Sequence, residues 1–214
     1  GIIGSCTAWS LLKRGYHVDL FDKDTPMAHT SQSSSKLLHG GLRYLETGQF
    51  KLVYKALQAR HFWLQQAPHL CHQLELLFPI YKGEGRPKWQ IGLGTKMYDI
   101  LAKGSGFPNS QWLTADEALR RSPNLKTHNL IGAYSFYDGQ MDDYQLGQWV
   151  ITQIQNLGGE IFTGRPVNTL DELADYDAIV NATGPWVMNL RTQQPPPPAI
   201  EIDWVRGSHL FVNQ

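Results

Sequence analysis

The head of this chain sets two glycines, a helix-length run, a third glycine and an acid-terminated strand in register, and that order admits few folds. The chain opens Gly1-Ile2-Ile3-Gly4. Read as the second and third glycines of a G-x-G-x-x-G turn, Gly1 lets a pyrophosphate approach the backbone and Gly4 lets the next helix pack close to a strand. The first glycine of that turn and the strand before it are then absent. The spacing predicts a helix from about Gly4 to Arg14 with Gly15 at its C-cap. Its N-terminal N–H groups and dipole would face phosphates. His17-Val18-Asp19-Leu20-Phe21-Asp22 alternates like a strand and ends on an acid 21 residues after Gly1, where a ribose-binding carboxylate belongs. The plainer alternative is a glycine turn before an ordinary helix, but the full order favours a nucleotide site.

The rest of the chain reads as an α/β layer with an inserted second layer. Residues 49–66 form a helix, with Leu52, Ala56, Ala59, Phe62 and Trp63 on one side and Pro68 past its end. Residues 74–81 and 131–137 read as strands, and 89–103 as a helix broken by Gly104 and Gly106. Thr114-x-x-Glu117 is a capping-box signature for a short helix that stops before Pro123. Asp142 and Asp143 put negative charge at the start of a helix whose Leu146, Trp149, Val150, Ile154 and Leu157 form one apolar stripe. Residues 160–163 are a strand, and 178–183 a second, apolar enough to be central in a parallel sheet. Four prolines at 195–198 form a stiff connector, followed by strands at 200–205 and 208–212.

The 19 basic and 19 acidic residues cancel, which argues against bulk nucleic-acid binding. No apolar run approaches 18 residues, so no transmembrane helix is expected. Cys6 and Cys71 lack metal-ligand spacing and suit free thiols in a reducing compartment, and no metal is expected.

Three further segments carry chemistry. Ser33-Ser34-Ser35-Lys36-Leu37-Leu38-His39-Gly40-Gly41-Leu42-Arg43-Tyr44-Leu45-Glu46 gives up apolar burial for hydrogen-bond donors and close backbone approach. Asn181-Ala182-Thr183-Gly184-Pro185-Trp186 runs a strand into a glycine at the edge where doubly wound sheets bind ligands. Arg206-Gly207-Ser208-His209 sets a histidine just past a glycine turn. A lone histidine is more often structural than catalytic.

These segments, with Tyr137-Asp138-Gly139, resemble the FAD-dependent glycerol-3-phosphate dehydrogenases, a branch of the D-amino-acid-oxidase-like flavoproteins. That family carries lysine where Arg206 stands, and a guanidinium does not replace a tuned lysine. The resemblance implies an α/β, Rossmann-like FAD-binding domain of glutathione-reductase type, with inserted helices and part of an α+β substrate domain. Residues 1–80 and 130–190 would form the discontinuous FAD-binding domain, 81–129 a helical insertion, and 191–214 the start of a substrate or cap domain. It further implies a fragment of a longer protein, inactive when isolated.

The implied reaction is oxidation of sn-glycerol 3-phosphate at C2 to dihydroxyacetone phosphate, with a hydride passing to the flavin. His209 is the candidate base, and Arg43 and Tyr44 are candidates for the substrate's polar end. Gly1, Gly4, Asp22, Ser34, Ser35, Lys36, His39, Gly40, Gly41, Val167, Ala182, Thr183 and Gly184 are the candidate FAD contacts. Membrane quinone would take the electrons, which implies peripheral attachment to the inner membrane face from the cytoplasmic side, and a homodimer is allowed. The alternatives are an oxygen-using glycerol-3-phosphate oxidase, an amine or amino-acid oxidase of the same superfamily, and a non-catalytic flavin-binding fragment.

Overall fold

A computed structural model describes residues 1–190, 205, 207 and 208. Its elements in chain order are α1 (Ile2–Leu12), β1 (Asp19–Asp22), β2 (Leu37–Leu38), α2 (Phe50–Gln66), β3 (Cys71–Tyr81), α3 (Lys88–Leu101), β4 (Gln111–Thr114), α4 (Ala115–Arg121), β5 (Leu130–Met141), α5 (Asp143–Asn156) and β6 (Glu160–Thr163). Short 3-10 turns lie at Thr30–Gln32, Leu42–Thr47, Leu170–Leu173 and Gly184–Asn189. Contacts gather these elements into two units, one of residues 1–35 with the described residues from 143 onward, the other of residues 36–142.

In the first unit β1 and β6 pair in parallel, Asp19 opposite Glu160 and Asp22 opposite Thr163. Stacked Phe21 and Phe162 rings, 4.9 Å apart, brace the pair. Helix α1 begins at its Gly1 N-cap and buries Ser5, Ala8 and Trp9. Trp9 meets Trp149 of α5 edge-on at 5.5 Å. The helix ends at a Lys13 C-cap rather than at Gly15, which follows two residues later in the turn with a left-handed φ of +87°. Helix α5 buries Leu146, Val150 and Ile154 as its pattern predicts, but Leu157 is exposed.

One expected strand is corrected here. Residues 178–183 are not a strand, and Val180 is 60% exposed. A strand exists only where a neighbour takes its backbone hydrogen bonds. Among the described residues β1 and β6 form a two-stranded sheet, and nothing is paired beside 178–183. The segments 200–205 and 208–212, expected as strands, and the proline run fall almost wholly outside the described residues.

The second unit is an antiparallel sheet with β5 at its centre. Strand β3 runs along one side of β5 from Cys71–Met141 to Tyr81–Leu130, and β2 and β4 share the other side. Pro79 is tolerated because β3 is an edge strand. Strand β4 escapes the sequence pattern because, of its four residues, only Leu113 is buried. Leu45, Val53, Leu57, Tyr98 and Phe136 form the main core.

The buried face of α2 also differs from the expected stripe. Val53, Leu57 and Arg60 point inward, while Leu52 and Phe62 are 45% and 38% exposed. The stripe drawn through apolar residues alone passed over an arginine whose charge is paired inside the unit. The Thr114 capping box forms as expected: Thr114 Oγ1 accepts from Glu117 N, and the Glu117 carboxylate accepts from Thr114 N at 2.7 Å.

Candidate functional site

The candidate residues divide between the two units. In the first unit α1 opens without an acid in its first turn and without a side-chain cap of its own. The terminal ammonium at Gly1 lies 2.9 Å from Asp22 Oδ2, and Ile2 N donates to Ser31 Oγ at 2.9 Å. A Cβ on Gly1 would stand 3.1 Å from Ser31 Oγ, and one on Gly4 would be 3.5 Å from Ala182 Cβ and 3.6 Å from Leu20 Cδ1. Gly1, Gly4, Asp22 and Ala182 are therefore gathered at one helix end. Asp22, at the tip of β1, also accepts from Asp24 N.

Ser34 donates through both N and Oγ to Asp143 Oδ2, at 3.0 and 2.8 Å. Ser35 is exposed and Val167 half-buried. Thr183 turns its N–H and hydroxyl onto Asn181 Oδ1, and Gly184 sits at φ +59°. His209 and Arg206 lie outside the described residues.

In the second unit Lys36 adopts φ +58°, and its carbonyl accepts from Met141 N at 2.9 Å. His39, Arg43 and Tyr44 are exposed, and Gly40 is buried. Gly41, at φ 75° and ψ 55°, begins the 3-10 turn that carries Arg43 and Tyr44.

Gly40 lies against side chains of its own unit. A Cβ there would stand 2.4 Å from Leu57 Cδ2 and 2.5 Å from the Tyr98 hydroxyl. Its N–H is shared by Tyr98 Oη at 2.7 Å and Asp138 Oδ1 at 3.2 Å.

Behind this turn stands a buried network that motif reading missed. Asp138 accepts from Arg60 Nη1 at 2.7 Å and from the Tyr98 hydroxyl at 2.7 Å. Arg60 also donates to the Tyr137 carbonyl at 3.0 Å, while its Nε and Nη2 have no partner. Burial and then the Asp138 carboxylate push the Tyr98 hydroxyl far above the usual tyrosine range, so it stays protonated and donates. Asp138 lies inside the Tyr137-Asp138-Gly139 string, but Arg60 and Tyr98 carry no local motif. The available signal was a basic residue at the i+7 position of a buried helix stripe.

Among the described residues no group of three or more His, Cys, Asp or Glu side chains could hold a metal. The arrangement suits a ligand held by backbone, hydroxyls and one carboxylate.

The family pattern described as FAD dependent oxidoreductase matches residues 1–214. The chain is similar to the aerobic glycerol-3-phosphate dehydrogenase of Escherichia coli (strain K12), 33% identical over 233 residues, covering 99% of this chain and 45% of that protein. It is similar to the glycerol-3-phosphate dehydrogenase of Synechocystis sp., 30% identical over 243 residues, covering 100% of this chain and 44% of the relative. The chain thus spans about half the length of the curated relatives it matches.

Among solved structures, the L-alpha-glycerophosphate oxidase of Mycoplasma pneumoniae with FAD bound superposes with a TM-score of 0.61 at 18% identity, covering 79% of this chain and 44% of that one. The glycerol-3-phosphate dehydrogenase of Bacillus halodurans complexed with FAD gives 0.55 at 21%, covering 79% and 26%. These likenesses establish the fold, the Rossmann-like arrangement of the FAD-binding flavoenzymes.

Proposed function

The chain belongs to the FAD-dependent oxidoreductase family, and on that premise we propose that it forms part of a glycerol-3-phosphate dehydrogenase. The observation that carries the cofactor half of this reading is the close packing of the glycine-opened end of α1, where a Cβ on Gly4 would meet Leu20 of β1 and Ala182. A glycine opening, no acid in the first turn and a carboxylate at the neighbouring strand tip fit a dinucleotide, with its phosphates at the helix end and its ribose at Asp22. Similarity to relatives named glycerol-3-phosphate dehydrogenase supports the substrate.

Bound FAD would supply the acceptor for a hydride. The remaining work falls to the chain and the polypeptide around it. Gly1, Gly4, Asp22, Ser34, Ser35, Lys36, His39, Gly40, Gly41, Val167, Ala182, Thr183 and Gly184 would hold the cofactor. Arg43 and Tyr44 would bind the substrate's polar end. His209 would accept the proton of the C2 hydroxyl as the C2 hydride leaves, which turns the secondary alcohol into the ketone of dihydroxyacetone phosphate.

The two electrons would pass on to a membrane quinone, with the protein attached peripherally to the inner face. No described helix is long and apolar enough to cross a membrane. The domain limits proposed from sequence (1–80 with 130–190, 81–129, and 191–214) stand as part of this reading.

The test is anaerobic mixing of the full polypeptide with sn-glycerol 3-phosphate while flavin absorbance is followed. Bleaching, with one dihydroxyacetone phosphate formed per flavin, is expected. Flavin bleached by an amino acid but not by glycerol 3-phosphate overturns the substrate assignment. Reoxidation by a short-chain quinone much faster than by oxygen is the expected second phase, and the reverse order overturns the quinone.

A further inference from the structure

Taking as its basis the assignment of Arg43 and Tyr44 to the substrate, we propose that Asp138 and Tyr98 are positioning residues that aim those two side chains. Arg43 is exposed and makes no hydrogen bond or ion pair among the described residues. The point from which it reaches out is therefore set by the backbone of the Leu42–Thr47 turn alone. Tyr44 follows the same backbone: its N–H donates to the Gly41 carbonyl at 2.9 Å, and its ring lies where a Gly41 side chain would be, 2.5 Å from the ideal Cβ.

That turn is fixed at two ends. At its far end Leu45 is buried in the core and Glu46 pairs with Arg86. At its near end the fixed point is the Gly40 N–H, which Tyr98 Oη and Asp138 Oδ1 share. The Gly40 peptide leads directly into Gly41, whose left-handed φ sets the axis of the turn.

Behind Gly40 each partner is itself held. Asp138 takes the Tyr98 hydroxyl and the Arg60 guanidinium, and Tyr98 packs edge-on to Phe136 at 6.2 Å. A line of contacts thus runs from α2 through β5 and α3 to the peptide that starts the substrate-binding turn. Gly40 also cannot accept a side chain without displacing the hydroxyl that anchors it. The glycine and the network are one device.

The test uses the full FAD-loaded polypeptide and a double-mutant cycle between Tyr98→Phe and Arg43→Ala. Tyr98→Phe removes one hydroxyl and keeps the ring. It is expected to retain flavin and to raise KM for glycerol 3-phosphate by about tenfold, the effect of losing one well-placed hydrogen bond. In the Arg43→Ala background the same substitution is expected to change KM less than about twofold, because the residue it aims is gone.

If Arg43→Ala alone leaves KM unchanged, the substrate assignment fails. If Arg43→Ala raises KM but Tyr98→Phe either leaves it unchanged or multiplies it in full in both backgrounds, positioning is overturned and the network only supports the fold. Should Tyr98→Phe not fold, the pair Asp138→Ala with Arg60→Met takes its place, removing the anchor without stranding a charge, and the same KM rise and the same loss of effect beside Arg43→Ala are required.

Discussion

Replacing Asp138 by Asn should cost this fold more than almost any other change of similar size. The side chains of Arg60 and Asp138 are 1% and 3% exposed. Asparagine keeps an oxygen that can accept from Tyr98 and from Gly40 N–H, so shape and most hydrogen bonds survive. What is lost is the negative charge opposite a guanidinium that water does not reach. Arg60 would face only neutral partners, the retained amide oxygen, the Tyr137 carbonyl at 3.0 Å and the Phe107 and Tyr98 rings, 4.2 and 5.9 Å from Cζ. Two of its nitrogens already lack partners.

Removing one member of a buried pair costs about 3–5 kcal/mol, and the ring contacts return roughly 1 kcal/mol. A loss of about 3 kcal/mol is therefore expected, a large part of the roughly 5–15 kcal/mol that a native protein has. Urea unfolding followed by circular dichroism measures it. Adding Arg60→Met should recover at least half of the loss, since the stranded charge goes with it. A cost for Asp138→Asn below about 1 kcal/mol, or no recovery in the pair, would refute the reasoning.

Asp22→Ala should weaken FAD binding by about 1–3 kcal/mol, the range for a lost charged hydrogen bond; unchanged affinity in a folded variant, measured by flavin fluorescence titration, removes Asp22 from the site. Burial raises the thiols of Cys6 and Cys71 from 9.0 to about 11, so both stay neutral at pH 8 and alkylation by iodoacetamide should be slow in the native protein and fast in urea. Because the folded value lies above the unfolded one, the stability these thiols contribute is whole below pH 9.0 and falls as pH rises towards about 11; fast native alkylation at pH 8 would contradict this.

What could be read from residues alone was whatever is encoded locally. Gly15, Asp22 and the Thr114–Glu117 box announce themselves because a helix end or a strand tip depends on neighbours a few positions away. Gly40 was legible as a place where a side chain is forbidden, but its structural cause was not. Where a Cβ would stand, the space at Gly40 is taken up by Leu57 and Tyr98, which come from helices distant in sequence. Arg60 was hidden for the same reason, since its partner Asp138 comes from a distant strand. The strand expected at 178–183 shows the converse. Apolar residues make a strand possible, but only a neighbouring backbone makes one form.

The clasped ends of residues 36–142 bear on the order in which the molecule can be built. Lys36 meets Met141, and Leu37 pairs with Gln140, so this stretch carries all its own sheet partners and can close as soon as β5 has left the ribosome. Strand β1 emerges earlier, yet its partner β6 emerges only after β5. During synthesis the β1 edge that takes β6 therefore stays unpaired while residues 36–142 fold. That interval is when a neighbouring nascent chain could pair with it. Its brevity, four residues with Asp19 and Asp22 at the ends, limits what such an encounter could gain.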